Sequence, residues 1–252
     1  MMNQTEEKSK RKPRTKPAEL PTHYDGENHK YEIGIDEAGR GPLFGRLYVA
    51  GVVLPKDGSV NMEHIRDSKK LTKKRLDEMY DYVREKAIVY HIEYVEADEI
   101  DEINIREAVL KAMNICATQC AQQLHAKDQL SSSSTENNTD STIIPYFLCV
   151  DGNDCPACHI NGNIIPGKAF KGGDNLYGSM AAASILAKVA RDRYIVELCE
   201  KVPKLSEYYK MEKHKGYGTK DHLDAIRTHG VTKYHRKTFG LCKTAKENTI
   251  II

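Results

Sequence analysis

Two adjacent carboxylates follow an apolar run near the N-terminus of the chain. The stretch GIDEAGRGP, residues 34–42, places Asp36 and Glu37 directly before a glycine-rich turn. Two neighbouring acids gain nothing from packing, because clustered carboxylates repel one another and raise each other's pKa. We therefore expect a cation or a substrate to lie near this turn.

Two more acids follow an apolar run or a pair of glycines further along the chain. Asp151 ends the run IIPYFLCVD, and Asp174 follows the glycines of KGGD. If the strands that end near Asp36 and Asp151 are neighbours, all four acids converge at one end of a sheet. Cations are what usually neutralise such a group, and oxygen ligands alone favour magnesium or manganese over zinc. A single aspartate after a strand is also a common turn or cap residue, so the spacing leaves both interpretations open.

The composition is that of a globular chain with unevenly distributed charge. Its 252 residues are 40% hydrophobic, enough for one large domain or two small ones, and the formal net charge is +2. No segment reaches the roughly 18 apolar residues of a membrane span, and the polar N-terminus does not resemble a signal peptide. Seven cysteines, an odd number, fit free thiols in a reducing compartment better than disulfides. We expect a cytoplasmic protein.

Three segments are too polar or too irregular to belong to the core. Residues 1–28 contain the basic cluster KSKRKPRTK and are predicted to be a flexible tail, with a nuclear address or a loose phosphate contact as alternatives. Residues 124–143 include SSSSTENNTDST and are predicted to be a low-complexity surface insert. Residues 243–252 show no clear pattern and are treated as a second tail.

The remaining residues alternate between strand-like and helix-like patterns. Four runs rich in Ile, Val and Tyr predict strands: KYEIGIDEA, RLYVAGVVLP, IVYHIEYVEA and IIPYFLCVD. Three helical runs follow from apolar spacing: SKKLTKKRLDEMYDYVREKA with Ser68 as its N-cap, ADEIDEINIREAVLKAMNICATQCAQQL, and GSMAAASILAKVARDRYIVELCEK. Their order predicts an α/β protein with a mixed β-sheet flanked by helices.

Six blocks of sequence, in order, resemble motifs of the ribonuclease HII family, the type 2 ribonucleases H. They are GIDEAGRGPLFG at 34–45, DSKKLT at 67–72, EIDEINI at 99–105, VDGN at 150–153, AAASILAKVARDR at 181–193 and HKGYGTKDH at 214–222. The resemblance implies a ribonuclease H-like fold for a catalytic domain over residues 29–242. It also implies a helical C-terminal extension, residues 200–242, that binds the substrate.

An activity and a metal site follow from the same resemblance. It implies an endonuclease that hydrolyses RNA in RNA–DNA hybrids and cuts on the 5′ side of ribonucleotides embedded in duplex DNA. The expected products are 3′-hydroxyl and 5′-phosphate ends, and the expected roles are ribonucleotide removal from DNA and RNA primer removal. Asp36, Glu37, Asp151 and Asp174 match the family's ligands for two Mg²⁺ or Mn²⁺ ions, with Asp36 placed to touch both.

Two further motifs match substrate contacts of the family. The turn Gly39, Arg40 and Gly41 corresponds to the turn that reads the 2′-hydroxyl, the group that separates RNA from DNA. Two glycines also fit an ordinary hairpin turn, and both interpretations can hold together. Tyr217 corresponds to a tyrosine that stacks on the deoxyribose after the ribonucleotide. From the residues alone, a buried core tyrosine is an equal alternative.

Basic residues near the C-terminus favour a duplex partner. Residues 201–237 carry ten Lys or Arg against four acids, and phosphate binding by such a face depends on salt and little on base sequence. A solvated helix surface also explains some of them. Ser184 and Lys188, four residues apart on a predicted helix, are candidate phosphate contacts. We expect a monomer that binds RNA–DNA hybrid and ribonucleotide-containing duplex DNA, with no sliding-clamp peptide at the C-terminus.

Two features depart from the family pattern. The segment between Asp151 and Asp174 is long for the family, and KGGD stands where KGD is expected, which makes Asp174 the weakest match of the four acids. The loop DCPACH contains Cys155, Cys158 and His159 but no second pair of zinc ligands nearby, so we interpret it as a loop with free thiols.

Three other functions can be weighed against the residues. A catalytically silent hybrid-binding protein would have lost an acid, whereas all four are present. A nuclease or integrase that shares the fold but cuts DNA has no need of the GRG turn or of Tyr217. The type 3 enzyme carries an N-terminal substrate-binding domain, for which the roughly 30 residues before the first strand are too few.

Overall fold

The computed structural model describes residues 20–24, 29–65, 72–131 and 145–248. The strands in this part of the chain are β1 (Tyr31–Ala38), β2 (Leu47–Val53), β3 (Val89–Val95), β4 (Tyr146–Asp151), β5 (His159–Ile160), β6 (Asn163–Ile164) and β7 (Gly167–Phe170). The α-helices are α1 (Lys73–Lys86), α2 (Ala97–Ile103), α3 (Ile105–Ser131), α4 (Gly178–Lys201), α5 (Lys204–Tyr209), α6 (Met211–His214) and α7 (Lys220–His229). Among the helices described, none is both long and apolar enough to cross a membrane.

Five strands form one mixed sheet in the order β3-β2-β1-β4-β7. Strand β1 pairs antiparallel with β2 and parallel with β4, and β4 pairs parallel with β7. Since parallel strands point the same way, the carboxyl ends of β1, β4 and β7 lie at one edge of the sheet. This edge is where an open α/β sheet usually places its ligands. The predicted mixed sheet is confirmed, whereas β7 was missing from the sequence prediction because it is short and largely exposed.

Helices cover both faces of the sheet. Alternate residues of β2 face opposite cores, so that Val49 packs with α3 on one side and Ala50 packs with α4 on the other. Gly34 brings α4 very close to β1, because a Cβ at this position would lie only 2.3 Å from the carbonyl carbon of Ser179. Helix α4 has the bounds predicted from its small residues, and that composition permits the close approach.

The other two long helices differ from the sequence prediction at their ends. Helix α1 is capped by Thr72, whose hydroxyl accepts a hydrogen bond from the Arg75 N–H at 3.3 Å; the predicted cap, Ser68, lies outside the described residues. The single helix predicted over residues 97–124 is divided at Asn104, which has a φ of +68°. A short α2 therefore precedes α3.

Helix α3 extends into the segment 124–143, which the composition predicts to be a surface insert. Leu124 is fully buried, and one carboxylate oxygen of Asp128 lies 2.7 Å from both Lys30 Nζ and the Tyr31 hydroxyl. These contacts hold the last turns of α3 against the start of β1. The insert prediction is therefore wrong for residues 124–131, and residues 132–144 lie outside the described part of the chain.

The predicted N-terminal tail includes a segment that packs on the domain. The Tyr24 N–H donates to the Glu32 carboxylate at 2.7 Å, and the Tyr24 ring packs edge-on against Phe170 with ring centroids 4.7 Å apart. The Pro21 carbonyl accepts from the Gly178 N–H at the start of α4 at 2.8 Å. The tail prediction for 1–28 is wrong for residues 20–24, because these contacts satisfy a helix N-terminus and a buried acid.

The predicted C-terminal tail also contains ordered backbone. Val231 pairs with Glu247 in a parallel bridge, and the Asn248 N–H donates to the Val231 carbonyl at 2.7 Å. The prediction for 243–252 is therefore wrong for residues 243–248. Backbone pairing of this kind depends little on side-chain pattern, so it leaves no signal in the amino-acid sequence.

The helical extension packs against the connection between β1 and β2. Phe44, in that connection, is fully buried among residues of α4 and of the extension, and it forms an isolated antiparallel bridge with His235. The Leu43 N–H donates to the Gly216 carbonyl at 2.9 Å. The extension and the glycine-rich turn are thus parts of one packed unit.

Three buried histidines support the loop between α6 and α7. The His214 and His222 rings stack with centroids 4.7 Å apart, and His222 Nε2 lies 3.2 Å from His235 Nε2. Because the Thr232 N–H donates to His235 Nδ1, the Nε2–H of His235 donates to His222. The Nδ1–H of His222 then donates to the Tyr217 carbonyl at 3.0 Å. This chain of hydrogen bonds requires neutral imidazoles.

Folding stability should decrease as the pH falls from about 6.5 towards 4. Burial lowers the pKa of His222 to about 4 and also lowers the pKa values of His214 and His235. Below their ordinary value of 6.5 the unfolded chain takes up protons that the folded protein does not, so each such group removes up to about 1.4 kcal/mol of stability per pH unit. Urea unfolding at several pH values would measure this slope. His222→Asn should flatten it, and an unchanged slope in that variant would contradict the assignment.

Candidate active site

Three aspartates converge at the carboxyl edge of the sheet. Asp36 lies near the end of β1, Asp151 ends β4, and Asp174 lies in the 3₁₀ turn Gly173–Asn175 after β7. One carboxylate oxygen of each lies within 4.8 Å of the other two. Within the described residues, this is the one group of three or more Asp, Glu, His or Cys side chains close enough to share a metal ion.

The unusual KGGD loop places Asp174 within this group. Gly172 has a φ of +67°, which starts the 3₁₀ turn in a left-handed conformation that suits glycine. The next residue, Gly173, donates its N–H to Asp151 Oδ1 at 2.7 Å, and a Cβ there would lie 2.4 Å from Met180 Sδ. Asp174 is consequently buried, and its carboxylate accepts from the Asn175 side chain at 2.6 Å. The additional glycine therefore supports the acid cluster.

The electrostatics of the cluster favour a bound cation. Asp36 is only 4% exposed. Burial raises its pKa well above the ordinary value, and the negative charge of Asp151 raises the pKa further, while a hydrogen bond from the Ser184 hydroxyl lowers it. A buried carboxylate beside like charges is stabilised when a cation neutralises it. The all-oxygen donor set fits a hard divalent cation such as Mg²⁺ or Mn²⁺.

Glu37 lies beside the triad of aspartates. Successive side chains of a strand point to opposite faces of the sheet, so Glu37 and Asp36 diverge. Glu37 Oε1 lies 3.6 Å from Arg40 Nη1. Burial raises the pKa of Glu37, the Arg40 guanidinium lowers it, and Asp151 raises it. The sequence predicts four acids in one site, whereas the structure brings three together and places the fourth at their edge.

A cleft of about 400 Å³ opens beside Glu37 and Ser184. The six residues predicted as substrate contacts all line it: Gly39, Arg40, Gly41, Ser184, Lys188 and Tyr217. Lys213 and Lys215 also line it. Because Ser184 bonds to Asp36, the cleft begins directly next to the acid cluster.

The two glycines of the GRG turn have different structural roles. Gly39 has a φ of +97°, and a Cβ there would lie 2.2 Å from Arg191 Nε. Gly41 has no atom within 4 Å of the position that a Cβ would take. Gly39 is therefore required by packing inside the protein, and Gly41 is the glycine that leaves space on the cleft side. The family resemblance assigns contact with the 2′-hydroxyl to the whole turn, whereas of its two glycines only Gly41 has open space beside it.

Tyr217 is half exposed where it lines the cleft. Its relative exposure is 50%, which excludes the alternative of a buried core tyrosine. The guanidinium carbon of Arg191 lies 5.8 Å from the centre of its ring. The Arg191 guanidinium thus lies over the ring, and half of the Tyr217 surface remains exposed.

Ser184 and Lys188 both face the cleft from α4, but they make different contacts. Ser184 is buried and bonds to Asp36, so it acts on the acid cluster. Lys188 Nζ lies 3.2 Å from the Asp192 carboxylate and its side chain is 39% exposed. Of the two, Lys188 is the one that brings a positive charge to the cleft.

The DCPACH loop leads into the small hairpin of β5 and β6. Cys155 is exposed and Cys158 is buried, and both are free thiols. Burial raises the pKa of each thiol, that of Cys158 to about 12. Within the described residues these cysteines and His159 do not belong to a group of three potential ligands. The geometry gives no support for a zinc site here.

Two buried arginines were missed by the sequence analysis. Arg191 on α4 and Arg236 after α7 are 2% and 0% exposed, and both donate to backbone carbonyls around the GRG turn. Their positions within AAASILAKVARDR and a basic segment suggested a surface charge. Only the fold shows that they point inward.

The ribonuclease HII family model matches residues 33–242. The chain belongs to the ribonuclease HII family. It is 37% identical to ribonuclease HII of Caldicellulosiruptor saccharolyticus over 221 residues, 88% of this chain and 92% of the relative. It is 38% identical to ribonuclease HII of a Shewanella species over 214 residues, 85% of this chain and 90% of the relative. The predicted family and the type 2 ribonuclease H activity are confirmed.

Two solved structures share the fold. Ribonuclease H2 of Pyrococcus horikoshii matches with a TM-score of 0.55 and 22% identity, over 84% of this chain and 95% of the other. Ribonuclease HII of Archaeoglobus fulgidus, solved as a complex with PCNA, matches with a TM-score of 0.58 and 24% identity, over 84% of this chain and 96% of the other. These similarities confirm the ribonuclease H-like architecture.

Substitution of the two GRG glycines should affect stability unequally. Gly39→Ala should lower the midpoint of thermal unfolding, because it combines a left-handed backbone with a collision against Arg191, at a cost of about 2 kcal/mol or more. Gly41→Ala should leave the midpoint nearly unchanged, because its methyl group enters open space. Calorimetry of the two variants beside wild type would measure this. Equal destabilisation by both would contradict the assignment of Gly39 to internal packing.

Metal binding should stabilise the protein through the three aspartates. Asp36→Asn should be at least as stable as wild type in chelator, because it removes a buried charge from a repulsive cluster. Added Mg²⁺ or Mn²⁺ should raise the free energy of unfolding of Asp36→Asn less than that of wild type. For wild type the increase is about 2.7 kcal/mol when the metal is at 100 times its Kd. Thermal unfolding with and without metal measures both effects. Asp224→Asn, at an exposed carboxylate on α7, is the control, and an Asp36→Asn variant with the full metal response would contradict the site.

Proposed function

We propose that this enzyme hydrolyses the RNA strand of RNA–DNA hybrids and incises duplex DNA on the 5′ side of embedded ribonucleotides. One observation carries the proposal: a single cleft, which begins next to the acid cluster at Glu37 and Ser184, contains the open backbone of the GRG turn and a half-exposed tyrosine. The acid cluster, the GRG turn and Tyr217 can then contact consecutive nucleotides of one strand. The cluster would cleave the phosphate, the turn would recognise the ribose, and Tyr217 would recognise the neighbouring sugar.

The acid cluster marks the position of the scissile phosphate. Asp36, Asp151 and Asp174 would hold divalent cations, and Glu37 lies close enough to contribute from the edge. Two bound Mg²⁺ or Mn²⁺ ions would supply Lewis acidity and a nucleophilic water at neutral pH, giving 3′-hydroxyl and 5′-phosphate products. Ser184 orients the Asp36 carboxylate by donating its hydroxyl hydrogen.

The GRG turn is placed to recognise the ribonucleotide. The space next to Gly41 allows a sugar to approach the main chain, whose N–H and carbonyl groups can pair with a 2′-hydroxyl. A deoxyribose at the same position would leave those polar groups without a partner, which costs binding energy. Arg40, with a side chain 47% exposed, can contact an adjacent phosphate.

Tyr217 is placed to contact the next nucleotide. Its exposed ring can stack on a deoxyribose or a base, which is worth about 1–3 kcal/mol for aromatic stacking on nucleic acid. Lys188, Lys213 and Lys215 line the same cleft and can neutralise phosphates. We propose that this pairing directs the enzyme to junctions between RNA and DNA. The roles that follow are removal of ribonucleotides and of RNA primers from DNA.

Cleavage of end-labelled duplexes tests the proposal. The substrates are a DNA duplex with one ribonucleotide, an RNA–DNA hybrid and an all-DNA duplex, each with Mg²⁺, Mn²⁺ or chelator. We expect metal-dependent incision on the 5′ side of the ribonucleotide, none in all-DNA duplex, and a loss of at least about 100-fold in rate for Asp36→Asn, because the reaction depends on the bound metal.

Two outcomes would change the proposal in defined ways. Cleavage of the long hybrid alone would keep the metal site and remove the junction role of Tyr217. Binding of the hybrid without cleavage, by a protein that unfolds cooperatively, would favour the hybrid-binding protein that the sequence left as an alternative. The Asp224→Asn control should cleave like wild type in every case.

A further inference from the structure

Arg191 connects the two recognition elements of the cleft. Its Nε donates to the Arg46 carbonyl at 3.1 Å, and its Nη2 donates to the Phe44 carbonyl at 3.2 Å. The same Nη2 donates to the Lys215 carbonyl at 2.9 Å. The first two carbonyls belong to the connection that carries the GRG turn, and the third belongs to the loop that carries Tyr217. One side chain therefore bonds to both.

The side chain also touches both elements directly. Its Nε lies where a Cβ of Gly39 would be, and its guanidinium carbon lies below the Tyr217 ring. Arg191 is three residues after Lys188 and seven after Ser184 on α4, so all three share one helix face. The rigid helix α4 thus carries three residues of the site. Ser184 donates a hydrogen bond to Asp36, Lys188 lines the cleft, and Arg191 links the two loops.

The chemistry of the guanidinium suits this position. A buried cation is costly unless it is hydrogen-bonded, and here three backbone carbonyls accept from the guanidinium. Burial lowers the pKa of Arg191 from its ordinary value, yet a guanidinium remains charged throughout the physiological range. Its planar arrangement of donors holds several acceptors at set angles. Lysine, with one rotatable ammonium, cannot reproduce that geometry.

We propose that Arg191 is a positioning residue that sets the spacing between the GRG turn and Tyr217, so that a ribonucleotide and the following deoxyribonucleotide are recognised as a pair. This inference rests on the proposed function of the cleft. It assigns the coupling of two substrate contacts to Arg191, a residue that is only 2% exposed. One backbone hydrogen bond, from Leu43 to Gly216, joins the same two loops, so an Arg191 variant should loosen their spacing without separating them.

Arg236 provides a matched comparison. It too is buried, and it donates to the carbonyls of Arg40, Pro42 and Gly45 at 3.2, 3.0 and 3.0 Å. All three acceptors lie in the connection between β1 and β2. Arg236 therefore shapes the GRG turn without a hydrogen bond to the Tyr217 loop. Loss of Arg236 should weaken ribose recognition independently of Tyr217.

A double-mutant cycle in kcat/KM tests the inference. The cycle combines Arg191→Lys with Tyr217→Ala, and a parallel cycle combines Arg236→Lys with Tyr217→Ala. Both are measured on whichever ribonucleotide-containing duplex wild type cleaves faster. Thermal unfolding of every variant is measured alongside, and Arg191→Gln, which keeps an N–H donor without the charge, replaces Arg191→Lys if the latter does not unfold cooperatively.

The expected result is strong coupling in the first cycle alone. If each single change lowers kcat/KM by about 10-fold, Arg191→Lys with Tyr217→Ala should also lower it by about 10-fold, because Arg191 acts through Tyr217. Arg236→Lys combined with Tyr217→Ala should lower kcat/KM by nearly the product of the two single effects, about 100-fold. Arg191→Lys should also reduce the preference for the single-ribonucleotide duplex over the continuous hybrid, a ratio that uniform destabilisation would leave unchanged.

Two results would overturn the inference. One is that the effects of Arg191→Lys and Tyr217→Ala on kcat/KM multiply as independent changes do. The other is that Arg191→Lys leaves the preference for the single-ribonucleotide duplex over the continuous hybrid unchanged, while cleavage of both falls with thermal stability. Either would reduce Arg191 to a structural residue and leave the proposed function intact, since wild type would still cleave. A wild-type protein that cleaves no ribonucleotide-containing duplex would refute the proposed function and this inference together.

Discussion

The repulsion among three clustered aspartates, two of them buried and one half-buried, is the interaction on which the rest of the structure depends. Asp36, Asp151 and Asp174 offer oxygens within 4.8 Å of one another in surroundings that raise the pKa of Asp36. Such a cluster opposes folding unless hydrogen bonds and cations offset it. The Gly173 N–H and the Ser184 hydroxyl supply part of that compensation. A divalent cation would supply the remainder. The carboxylates whose repulsion destabilises the metal-free protein are therefore the same groups that would bind the metal.

Close packing of α4 on the sheet connects the acid cluster with the cleft beside it. Gly34 allows the helix to lie almost in contact with β1, which brings Ser184 to Asp36. The same helix then continues past Lys188 to Arg191, between the GRG turn and the Tyr217 loop. Residues that contact the acid cluster and residues that line the cleft therefore lie on one rigid helix. Precise spacing between them matters because small displacements of reacting groups reduce rates strongly.

Neutral buried histidines and buried arginines stabilise the GRG turn and the Tyr217 loop from inside the protein. His222 donates to the Tyr217 carbonyl, and Arg236 binds carbonyls next to the GRG turn. Neither group offers a typical sequence signal, because histidine and arginine are common on surfaces. Backbone carbonyls beneath the cleft accept hydrogen bonds from these side chains, which helps to hold the loops in one conformation. Acidic pH weakens the histidine part of this support.

The amino-acid sequence by itself determined the family, the α/β order of elements, the bounds of α4 and three aspartates of the acid cluster, because alternating strand and helix patterns and ordered motifs are local properties. It could not determine that β7 joins the sheet, that α3 continues to Ser131, or that residues 20–24 and 243–248 pack on the domain, since these depend on contacts between distant segments. Tertiary structure alone decided that Glu37 turns towards Arg40, that Gly39 faces Arg191 and that Gly41 faces open space. The physical reason is that side-chain direction and burial follow from packing among elements that are far apart in the chain.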